Sequence, residues 1–166
     1  MFVLPIIRRS GLFFHHFGDG DAKLFASAFA ETWRSIPLSA RRRLLKYWRD
    51  TKPQGCEYKW PSIELSSAQT HDFSCGNSGD AIARLEFTMF LYFNSSAMDT
   101  LPLPEYKYTI AHELAHVHIL AGPGREEHLA DVVACKDLEF SWAEQDADEV
   151  ADYWGFDRES TESKGD

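Results

Sequence analysis

Cysteine is scarce in this chain of 166 residues: Cys56, Cys75 and Cys135 are all it has, and no two form a Cys-x-x-Cys pair. So sparse and odd a set argues against a disulfide framework and suits a reducing compartment, although a Cys56–Cys75 bridge stays open. Positive charge is also short. Seventeen Lys and Arg stand against 26 Asp and Glu, a formal charge of −9 at pH 7. Phosphate binding wants a basic surface, so nucleic acid is not expected as a partner. No stretch approaches the roughly 20 apolar residues of a membrane span, and no membrane partner is expected. Residues 1–9 place their apolar run before Arg8 and Arg9 and are too short for a secretory signal. The expected location is the cytoplasm.

What is present is a folding sequence. Hydrophobic residues make up 44% and aromatics 14%, enough for a core in one domain spanning residues 1–157, with a polar, disordered tail at 158–166. Leu24, Phe25, Phe29 and Trp33 recur at helical spacing over residues 21–35, with Asp21 as the cap. A second helix is predicted over 39–50, starting at the cap residue Ser39 and burying Leu44, Leu45 and Trp48. Its Arg41, Arg42, Arg43, Lys46 and Arg49 form the one basic patch, expected to be solvated and to pair with the acidic C-terminal part. His15-His16 reads as local packing, because adjacent histidines do not face one way on either regular element.

A short strand is predicted at 62–66 and a longer one at 84–93. In the longer one Leu85, Phe87, Met89, Leu91 and Phe93 alternate with the other face, and Asn94 and Ser95 stop it. A loop at 69–80 carries His71, Asp72 and Cys75 without a second ligand at metal spacing. Further helices are predicted at 105–120, ended by Gly122-Pro123-Gly124, then at 125–134, and at 141–154, closed by Gly155.

The sequence centres on His112-Glu113-Leu114-Ala115-His116. Histidines one turn apart on a helix aim two imidazoles at a common point, and that pair suits zinc. Glu113 beside them is the candidate general base, able to take a proton from a water on the metal.

A catalytic zinc needs a third protein ligand. His128 is a weak candidate, because Ile119 stands where the extended histidine motif needs a glycine to turn the chain. Two glutamates lie in the same local pattern, Glu127-His128-Leu129-Ala130-Asp131 and Glu144-Gln145-Asp146-Ala147-Asp148. In each, a carboxylate and an aspartate one turn later share a helix face, so the glutamate can meet a metal while the aspartate orients a histidine ring. Glu144 is favoured, with Asp148 behind it, since it leaves enough chain for a loop and an antiparallel helix. Glu127 is the alternative third ligand.

These motifs together resemble the zincin peptidases whose third ligand is a glutamate, in particular the small ImmA/IrrE-like metallopeptidase domains. The resemblance covers about residues 84–156. It implies an α+β, zincin-like fold with a small mixed or antiparallel sheet packed on an active-site helix and a C-terminal glutamate helix. It implies His112, His116 and Glu144 as ligands of Zn2+, Glu113 as the base, and the strand before the active helix as the substrate-binding edge. The chain departs from the family in showing no helix-turn-helix, in duplicating the Glu-x-x-Ala-Asp motif, and in an N-terminal half without counterpart.

The expected function is hydrolysis of a peptide bond in a protein or peptide substrate, by water on the metal with help from Glu113. An extended substrate would pair with a strand within residues 83–95. Tyr106, Tyr108, His118, His128 and Tyr153 are the candidates for stabilising the oxyanion. The alternative is an inactive zinc-binding regulatory or interaction module, against which Glu113 weighs.

Overall fold

Asp21 starts the first helix as its side chain demands: Oδ1 accepts the N–H groups of Lys23 and Leu24 at 2.9 and 3.0 Å. The structure, a computed structural model, describes residues 13–17, 20–50, 62–66, 83–86, 90–123 and 142–157. In chain order its elements are β1 (Phe13–Phe17), α1 (Ala22–Ser35), α2 (Leu38–Asp50), β2 (Ser62–Ser66), β3 (Ala83–Glu86), β4 (Phe90–Asn94), α3 (Ser95–Met98), α4 (Leu103–Leu120) and α5 (Trp142–Tyr153). The helix predicted at 125–134, Glu127, His128, the loop at 69–80, all three cysteines and the tail lie outside the described residues.

The core joins α1, α2, the sheet and α4. Phe25, Phe29, Trp33, Leu44 and Trp48 are buried, and burying each such side chain is worth about 1.5–3 kcal/mol. Phe25 is the hub. Its ring lies 5.0 Å from that of Phe93 on β4 and 6.3 Å from that of Tyr106 on α4. Trp33 stacks on Trp48 at 6.0 Å and ties α1 to α2. Helix α2 begins at Leu38, so Ser39 sits inside its first turn and is not the cap.

The strand order is β1-β2-β4-β3. β1 and β4 each pair with β2 in parallel, while β3 pairs with β4 antiparallel. Across β2 and β4, Ile63 faces Leu91 and Leu65 faces Phe93, and all four are buried. The single strand predicted at 84–93 is instead two paired strands. β3 is an edge of the described sheet, and β4, next to α4 in sequence, is interior.

The expected α+β arrangement, with the sheet packed on both the active-site helix and the glutamate helix, is overturned. The described residues are mostly helical, with helices of 14, 13, 18 and 12 residues against strands of four or five. Helix α5 docks on α4, and the sheet's main approach to α4 is through β3. The reason lies in the side chains α5 buries. Ala143, Ala147 and Ala151 form a narrow stripe of small residues, which suits close approach to another helix and is too shallow to cover a sheet.

The basic patch of α2 is expected to pair with the acidic C-terminal part, much of which lies outside the described residues; among the described residues no ion pair joins α2 to α5. Arg49 pairs with its neighbour Asp50, and Arg43 meets His118 of α4 at 3.2 Å. No described helix is long and apolar enough to cross a membrane.

Candidate metal centre

Helix α4 is buried around most of its circumference, with Tyr106, Ile110, Leu114, Ala115 and Val117 in the core, so its polar side chains are held by packing. Pro104 lies in its first turn, and Gly122 N–H turns back onto the Ile119 carbonyl at 2.8 Å past its end. Tyr108, His112 and His116 stand one turn apart on the side that meets α5. Glu144 and Asp148 stand one turn apart on α5 and meet them.

Three side chains converge. His112 Nε2 is 3.1 Å from His116 Nε2 and 3.0 Å from Glu144 Oε2, and His116 Nε2 is 3.4 Å from Glu144 Oε1. The two imidazole rings meet edge to face, 86° apart. His112, His116 and Glu144 are therefore close enough to bind one metal ion.

The spacing and the chemistry both fit a cation. Two ligand atoms each about 2.0–2.1 Å from a tetrahedral zinc stand about 3.3–3.4 Å apart, near the separations seen here. His112 Nδ1 donates to Asp148 Oδ1 at 2.7 Å, which in the neutral ring leaves Nε2 as a bare lone pair. That lone pair faces a carboxylate oxygen and a second imidazole nitrogen, an electron-rich point that suits a positive charge.

The titration of the site says the same. Burial works to lower the pKa of His112, but hydrogen bonds to Asp148 and Glu144 and the charges of Glu113 and Glu144 raise it to about 10. Burial works to raise the pKa of Glu144, and the two histidines outweigh it, holding the carboxyl well below its ordinary range. The field that retains a proton on His112 is the field that would retain a divalent cation.

Glu113 is 5% exposed, and its Oε2 meets no hydrogen-bonding group among the described residues. Burial raises its pKa, the neighbouring His116 and His112 oppose the rise, and Glu144 adds to it. A buried carboxylate oxygen left without a partner is uncommon in a folded protein, and here it lies beside a convergent donor set.

Of the other candidates, Tyr153 is 83% exposed on the outer side of α5, and Tyr106 is buried against Phe25 in the core. His118 turns away from the convergence point, between Arg43 and the ring of Trp154 at 5.4 Å. Burial, helped by the Arg43 charge, lowers its pKa. Tyr108 donates its hydroxyl to Asp148 Oδ1, a link that sequence reasoning missed. The signal was present, since Tyr108 precedes His112 by one turn.

No protein-family model, curated protein or solved structure matches this chain.

Proposed function

We propose that the chain is a zinc-dependent peptidase in which His112, His116 and Glu144 hold the metal and Glu113 is the general base. The observation that carries the proposal is the buried Glu113 carboxyl, whose Oε2 meets no hydrogen-bonding group among the described residues, beside the convergent His112, His116 and Glu144. A zinc ion held there would supply a Lewis acid for the scissile carbonyl and make water acidic enough to react near neutral pH. Glu113, its pKa raised by burial, takes a proton from the attacking water and returns it to the leaving amine.

β3, an edge of the described sheet and the strand in closest contact with α4, offers backbone groups to an extended peptide beside the site. The substrate class is therefore an extended polypeptide. The sparse cysteines support a cytoplasmic setting. A module that holds metal without cleaving anything has no use for a buried carboxyl with an unpartnered Oε2 at position 113, and structural zinc sites prefer four protein ligands.

The test is Glu113→Gln, assayed on an unfolded protein and analysed for bound metal. The variant should keep zinc and lose turnover by about 10²- to 10⁴-fold. Cleavage at the wild-type rate would remove Glu113 from the mechanism.

A further inference from the structure

We infer that Tyr108 is a positioning residue of the candidate metal centre: acting through Asp148, its hydroxyl fixes the ring of His112 and strengthens metal binding. The inference rests on the metal-binding reading of His112, His116 and Glu144.

Asp148 Oδ1 accepts two hydrogen bonds, from the Tyr108 hydroxyl at 2.5 Å and from His112 Nδ1 at 2.7 Å. Both donors come from α4, one turn apart, and they bracket a single oxygen supplied by α5. The Asp148 side chain is 39% exposed, so water competes for it and its rotamer is not set by burial. A second donor on the same oxygen holds the carboxylate where it meets the Nδ1–H of His112. The ring is thereby fixed with Nε2 aimed at Glu144 and His116.

Tyr108 can do this because it is itself fixed. Its ring packs with Ala111, Ala151 and Phe156, and lies 6.1 Å from the His112 ring. Phe156 reaches that position through a turn in which Gly155 takes φ 90° and the Phe156 N–H bonds the Ala151 carbonyl at 3.1 Å. Packing therefore sets the phenol ring, and only the hydroxyl is spent on Asp148. The bond lies on the Nδ1 side of His112, across the ring from the convergence point. Tyr108 is thus a support for the ligand and not the donor to a substrate oxyanion.

The experiment is calorimetric titration of Zn2+ into metal-stripped full chain, for wild type, Tyr108→Phe, Asp148→Ala and the double variant. Tyr108→Phe keeps the ring and removes only the donor. It should weaken zinc binding roughly tenfold, at the lower end of the roughly 10- to 100-fold expected when a ligand's supporting partner is lost. Asp148→Ala should lose more, and adding Tyr108→Phe to it should cost nothing further, because the path runs through the carboxylate. Cobalt in Tyr108→Phe should show a visible spectrum altered from wild type. Wild-type affinity in Tyr108→Phe, or an equal further loss in the Asp148→Ala background, overturns the inference. So does a loss of binding matched by loss of helical circular dichroism. Failure of wild type to bind zinc would overturn the metal reading as well, whereas binding by wild type and unchanged binding by Tyr108→Phe would overturn the role of Tyr108 alone.

Discussion

His112 Nδ1 and Asp148 Oδ1 meet at 2.7 Å across 36 residues of sequence, and that contact joins the two halves of the site. Everything the site needs from α5 arrives on two consecutive turns. Everything it needs from α4 lies on the turns facing them. Perturbing either helix should therefore register first in metal binding.

The choice of third ligand can be checked directly. Glu144 lies 3.0 Å from His112 Nε2, so Glu144→Ala should purify with little or no zinc. Glu127→Ala should keep a full equivalent. Metal analysis of the two variants beside wild type decides it, and zinc lost from the Glu127 variant alone would reverse the assignment.

Proton and metal compete at one nitrogen. In the metal-free protein His112 titrates at about 10 against an ordinary 6.5, so the folded state binds the proton more tightly than the unfolded chain. Its stabilisation is full below pH 6.5 and is lost as pH rises toward 10, and the Glu144 partner belongs to the same coupled pair. Denaturant melts of metal-free protein should show that decline. Zinc must displace the proton, so affinity rises with pH and binding at pH 7 releases a proton. Calorimetry in buffers of different ionisation enthalpy measures the release, and zero release contradicts the prediction.

Ala147 is fully buried in the seam between α4 and α5. Ala147→Leu should lower stability by about 1–3 kcal/mol through overpacking. It should also weaken zinc binding, because it pushes apart the helices that carry the ligands. A thermal melt with a zinc titration reads both.

Gly155 has φ 90° with open space where a Cβ would point. Gly155→Ala meets no clash, so its cost is backbone strain alone, about 1–2 kcal/mol. The melting temperature of metal-free protein should fall accordingly.

The histidine pair was legible because a one-turn spacing survives any tertiary context, and the extent of α1 followed from Asp21 and the Phe25, Phe29, Trp33 stripe. The division of residues 83–94 into two paired strands was not legible. Glu86-Phe87-Thr88-Met89 holds no glycine, proline or asparagine, and the alternation runs through it unbroken. α3 hid behind the strand-stopping reading of Asn94, whose side chain in fact caps it by accepting from Ala97 N–H at 3.3 Å. The parallel pairing of β2 with β1 and β4 is non-local and leaves no mark in either strand alone. The seat of α5 turned on the size of its buried residues more than on their hydrophobicity. Alanines at 143, 147 and 151 made a helix–helix seam where a sheet contact was expected.

That alanine stripe repeats every turn, and so do the acids beside it, Glu144, Asp148 and Asp152. A translation of α5 along its own axis by one turn, about 5.4 Å, would lay alanine on alanine and bring Asp148 to the place of Glu144, Asp152 to that of Asp148. The seam is thus nearly self-similar and does not choose its own register. The non-repeating residues at its end oppose such a shift: Trp154 against His118, and Phe156 against Tyr108, Ala111 and Ala151. Which carboxylate faces the two histidines thus depends on two aromatic side chains, Trp154 and Phe156, that stand outside the convergent set of His112, His116 and Glu144.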